Sequence, residues 1–108
     1  MPFFEVITMT PDEIAKRYDA LRKCIPKIVE PNLLVLTCGV AGLGAVTVTG
    51  ILEKVRDFDR FERGDDPYGE HDFGAIEHDG ETVFWKIEDY GGMDDLELVL
   101  TVMMAEEY

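Results

Sequence analysis

The chain has 108 residues, 46% of them apolar and 31% charged. That composition suits one globular domain over residues 1–108 and argues against a disordered chain. Its net charge of −13 is lopsided: residues 1–63 hold nine basic and nine acidic side chains, whereas residues 64–108 hold fourteen acids against Lys86 alone. Such an acidic half argues against direct nucleic-acid contact through it, because phosphates would meet carboxylates.

Met1-Pro2-Phe3-Phe4-Glu5 lacks the basic and long apolar regions of a secretion signal. No apolar run is long enough to cross a membrane, so a cytoplasmic protein is expected. Residues 3–9, Phe-Phe-Glu-Val-Ile-Thr-Met, read as a short strand with poor alternation. Thr10-Pro11-Asp12-Glu13 is a helix start: Thr10 caps, Pro11 fits the first helical position and Glu13 completes a capping box. Ile14, Tyr18, Leu21 and Ile25 then form one apolar stripe, with Lys16, Arg17, Arg22 and Lys23 mostly off it. Pro26 disfavours helical geometry at Ile25 and ends the helix.

Leu33-Leu34-Val35-Leu36-Thr37 reads as a buried strand. The following Gly39-Val40-Ala41-Gly42-Leu43-Gly44 has the wrong glycine spacing for a dinucleotide loop and lacks the Lys-Ser/Thr pair of a P-loop, so it reads as a turn into the next helix. Ile51, Leu52, Val55, Phe58 and Phe61 give that helix its 3.6-residue pattern. Asp79-Gly80 reads as a two-residue hairpin turn that sets Ile76 opposite Val83, Gly74 opposite Trp85 and Asp72 opposite Ile87. Ile76, Val83, Trp85 and Ile87 then share the core face. Phe73 and Phe84 point the other way, which suggests that a helix or loop covers part of the outer face. Leu96 to Met103 reads as a strand, with a C-terminal helix as the alternative. The expected fold is α+β: two helices packed on a mostly antiparallel sheet of about four or five strands.

Cys24 and Cys38 match no zinc or redox spacing and read as reduced, partly buried thiols. The chain contains no serine, which removes serine-nucleophile mechanisms. The most unusual stretch is Asp65-Asp66-Pro67-Tyr68-Gly69-Glu70-His71-Asp72-Phe73-Gly74. Its first five residues read as a turn, with Glu70 or Asp72 accepting backbone N–H bonds inside it. His71 is expected to fix the loop by bonds within residues 65–90. Carboxylates and imidazole suit a metal, but adjacent side chains diverge along an extended chain, so no metal or cofactor is expected. No pocket or positioned partner for acid–base work is visible, so no catalytic residue is assigned.

Together with Trp85-Lys86-Ile87 and the ending Leu100-Thr101-Val102-Met103-Met104-Ala105-Glu106-Glu107-Tyr108, this motif resembles an uncharacterised bacterial domain family over roughly residues 12–108. The chain departs from that pattern at Glu88-Asp89-Tyr90-Gly91-Gly92, where the family has a longer loop. The resemblance implies no activity, but it implies a setting on plasmids, prophages and other mobile elements. Anti-CRISPR and anti-restriction proteins share this small, acidic profile. The expected function is therefore an inhibitor or adaptor whose carboxylates stand in for phosphate on a basic nucleic-acid-binding protein, such as a CRISPR effector or restriction subunit. The expected contact residues are Asp65, Asp66, Tyr68, Glu70, Asp72, Asp89, Tyr90, Asp94 and Asp95, on a monomer or homodimer. The alternatives are a regulatory module of another partner and a small metal-dependent enzyme.

Overall fold

The computed structural model describes residues 9–108, so residues 3–8 of the expected first strand lie outside it. Helix α1 (Pro11–Lys23) starts on the expected capping box. The Glu13 N–H donates to Thr10 Oγ1 at 3.2 Å, and the Thr10 N–H donates to the Glu13 carboxylate at 3.2 Å. After β1 (Leu33–Leu36) comes α2 (Cys38–Ala41), a single turn where a glycine-rich turn was expected, and then α3 (Ala45–Arg56). Strands β2 (Phe73–His78), β3 (Glu81–Asp89) and β4 (Leu98–Met104) complete a sheet of order β1-β4-β3-β2. Only β1 and β4 run parallel. The fold is α+β, with three α-helices among the described residues rather than two because of the single turn α2.

The hairpin has the register expected from its turn. Asp79 and Gly80 take φ of 51° and 79°, the positive values that a tight hairpin turn requires. Gly74 pairs with Trp85 and Ile76 with Val83, and the Ile87 N–H donates to the Asp72 carbonyl at 2.8 Å. Trp85 is 0% exposed. A Cβ on Gly74 would collide with its indole nitrogen, so the glycine opposite the tryptophan is a packing requirement. Strand β4 is central and buried on both faces except at Thr101, which explains why its sequence is a continuous apolar run. It is a strand, and only the short turn Ala105–Glu107 after it is helical.

All three helices pack on one face of the sheet, where Tyr18, Leu21, Val40, Ile51 and Val55 meet Trp85, Ile87 and Val102. On the other face Phe73 and Phe84 lie 5.2 Å apart between ring centroids. Tyr108 meets them edge-on at 6.0 and 5.5 Å. The Glu107 carboxylate holds this C-terminal turn down. It accepts from Thr37 Oγ1 at 2.6 Å, the Gly39 N–H at 3.0 Å and the Met104 N–H at 2.8 Å. These bonds hold the Glu107 carboxyl below its ordinary value, the Thr37 hydroxyl first among the causes.

Four expectations are corrected. Helix α3 ends at Arg56, so Phe58 and Phe61 reach the core from irregular chain. The β1 segment is a partly exposed edge strand rather than a buried one. Both cysteines are exposed free thiols. Arg22, placed off the apolar stripe by its charge, is 1% exposed.

Candidate functional site

The acidic motif begins with a turn: the Gly69 N–H donates to the Asp66 carbonyl at 3.1 Å, with Gly69 at φ 69°. The carboxylate that organises the loop is that of Asp66, not Glu70 or Asp72. It is 7% exposed and its Oδ1 accepts from the His71 N–H at 3.1 Å. His71 is held at φ 58°, a conformation uncommon outside glycine. Its ring stacks on Phe61 at 3.6 Å and 3° between planes. Nδ1 lies 3.0 Å from Asp19 Oδ1 on α1, while Nε2 lies 3.8 Å from Asp66 Oδ2. An ionised carboxylate only accepts, so in that bond Nδ1 carries the hydrogen. His71 fixes the loop within residues 65–90, as expected, through its N–H to Asp66, and its ring ties the loop to α1 as well.

The same Asp19 oxygen accepts from Arg22 Nη2 at 2.7 Å. Arg22 Nη1 donates to the carbonyls of Val55 at 2.8 Å and Phe58 at 2.9 Å, where α3 ends. A guanidinium on the last carbonyls of a helix meets the negative end of its dipole. The Trp85 and Phe61 rings face it at 4.8 and 5.3 Å. One buried cation thus joins α1, the end of α3, the core tryptophan and, through Asp19, the motif. Sequence reasoning missed it because a charged residue beside an apolar stripe reads as solvated.

The other half of the motif faces outward. Asp65, Tyr68, Asp72 and Phe73 line a groove of about 440 Å³ together with Lys86, Glu88 and Tyr108. Glu70 is half-buried. The Tyr18 hydroxyl is pushed up from its ordinary pKa by burial first and then by the charge of Asp89, with Arg17 opposing and Glu70 and Asp72 adding. The connection from β3 to β4 leaves from the same end of the sheet, bringing Tyr90, Asp94 and Asp95, the aspartates at φ 56° and 64°. All nine expected contact residues lie at this end of the sheet, and eight of them are exposed or half-buried. The exception is Asp66, whose carboxylate points inward and is unavailable to a partner.

The negative charge is less continuous than its position in the sequence suggests. Asp79, Glu81, Glu106 and Glu107 lie at the opposite, hairpin end of the sheet. Arg17 donates to Asp89 at 2.7 Å and to Glu97 at 3.2 Å, so it neutralises part of the motif end. Among the described residues, Asp65, Glu70, Asp72, Asp94 and Asp95 pair with no cationic side chain. Among those residues no three His, Cys, Asp or Glu side chains converge to hold a metal ion, and His71 and His78 lie at opposite ends of the hairpin. No helix among them is long and apolar enough to cross a membrane.

No curated protein and no solved structure matches the chain. The model of a family described as "Protein of unknown function (DUF3768)" matches residues 36–99. That stretch holds the whole motif, Phe61 and Trp85 but not α1, which supplies Asp19 and Arg22. Because the match spans more than half of the 108 residues, the chain belongs to the DUF3768 family.

Proposed function

We propose that this protein is an acidic binding module whose motif end docks on the basic surface of a nucleic-acid-binding protein, its carboxylates occupying positions that phosphates otherwise take. The observation that carries this reading is the gathering of Asp65, Glu70, Asp72, Asp94 and Asp95 at one end of the sheet, without cationic partners among the described residues and beside the exposed Tyr68 and Tyr90. Exposed tyrosine among carboxylates suits a partner rich in arginine and lysine, since the ring adds buried area while the acids pair. Binding is favoured over catalysis because both ring nitrogens of His71 face carboxylates and neither opens on the groove. A CRISPR effector or restriction subunit is the class of partner that a mobile-element setting implies.

The test is affinity purification from a host carrying CRISPR and restriction systems, with and without an excess of the target's own nucleic acid. A nucleic-acid-binding protein retained by the chain and displaced by that nucleic acid is the expected result. Retention that the nucleic acid does not affect contradicts phosphate mimicry and leaves a module whose working surface lies elsewhere.

A further inference from the structure

We infer that the groove between the motif loop and Tyr108 receives an arginine side chain of the partner, an inference that rests on the acidic-module reading and locates its central contact. The groove pairs two features that one guanidinium satisfies together. Its carboxylates are Asp65, Asp72 and Glu88, and Lys86, the one cation among the described residues that line it, is already turned onto Glu88 at 3.3 Å. Its aromatic walls are Tyr68 and Tyr108, 75% and 77% exposed, with Phe73 behind Tyr108. A guanidinium is planar and weakly hydrated, so it stacks on a ring while its N–H groups donate to a carboxylate. A lysine ammonium is a hydrated point charge and uses the aromatic walls less well.

The molecule already holds one guanidinium this way. Arg22 pairs with Asp19 at 2.7 Å while the Trp85 ring faces it at 4.8 Å. The lining is also set before a partner arrives. Asp66 and His71 fasten the loop from inside, which leaves Asp65, Tyr68 and Asp72 on the outer side of a fixed backbone.

The experiment is titration of the isotope-labelled full chain with a capped Gly-Gly-Arg-Gly-Gly peptide, followed by amide chemical shifts, with lysine and citrulline peptides in parallel. Shifts concentrated at Tyr68, Asp72, Lys86 and Tyr108 are expected. The arginine peptide should bind about threefold tighter than the lysine peptide, and citrulline should have no effect. The double variant Tyr68→Ala/Asp72→Asn should lose the response while its remaining amide spectrum overlays that of the wild type. Shifts centred on Asp94 and Asp95, or equal binding of lysine, overturn the groove and leave the acidic-module reading standing. Silence towards both cationic peptides overturns the groove, and retention of a partner that its nucleic acid displaces still decides the broader reading.

Discussion

Position 22 shows how one side chain can tie a small fold together. The Arg22 guanidinium satisfies the Val55 carbonyl in the last turn of α3, the Phe58 carbonyl just beyond it, one carboxylate of α1 and two aromatic faces at once. Arg22→Met keeps an apolar stem but takes the guanidinium away from those carbonyls and from Asp19, which keeps only His71 among the described residues. Hydrogen bonds to a charged group are worth about 1.5–3 kcal/mol each, so a loss of roughly 3 kcal/mol is expected in urea denaturation. An unchanged midpoint contradicts the assignment. Trp85→Ala should cost about 3–5 kcal/mol, the range for an aromatic lost from a core. A loss below about 1 kcal/mol, within the spread of surface substitutions, would mean that the indole does not hold the core. Trp85 was legible in the sequence because alternation around a clear turn fixes which face it takes. Arg22 was not, because its burial depends on carbonyls thirty or more residues away that periodicity does not reveal.

At the scale of elements, the hairpin was legible and the ends of its neighbours were not. Asp79-Gly80 sets the register by itself, whereas α3 stops at Arg56 although the apolar spacing continues to Phe61. The Phe58 carbonyl is taken by Arg22, and Phe58 and Phe61 meet Trp85 edge-on at 5.5 and 6.2 Å from non-helical chain. Gly74→Ala tests the close packing of the hairpin. The added methyl meets the indole, and such overpacking costs about 1–3 kcal/mol. The C-terminal turn answers to pH through Glu107. Its carboxyl is held below the ordinary glutamate value, so the unfolded chain binds the proton more readily. Stability from this clamp is therefore present above the ordinary value and is lost as pH falls through the folded one. Glu107→Gln should lower the urea midpoint near neutral pH and lose less of it than the wild type on acidification. Parallel pH profiles for the two proteins contradict the clamp.

Over the whole molecule, the count of charges was legible and their placement only partly so. Asp65 and Asp66 are indistinguishable neighbours in sequence, yet one lines the outer groove and the other anchors the loop from within. The register of β2, β3 and β4 divides the carboxylates between two ends of the sheet, and Arg17 crosses from α1 to neutralise part of one. Asn at positions 65, 72, 94 and 95 removes charge and suits the positive φ of the last two, a conformation that Asn tolerates. Exposed charges contribute little to stability, so this fourfold variant should melt close to the wild type. The most direct measurement is its affinity, beside that of the wild type, for the co-purified nucleic-acid-binding protein over a range of salt concentrations. Screening shortens from about 10 Å at 0.1 M to about 3 Å at 1 M. The wild-type affinity should therefore fall steeply with salt, and the variant should bind weakly throughout. Equal affinities for the two proteins, flat with salt, would contradict a docking surface built from these carboxylates.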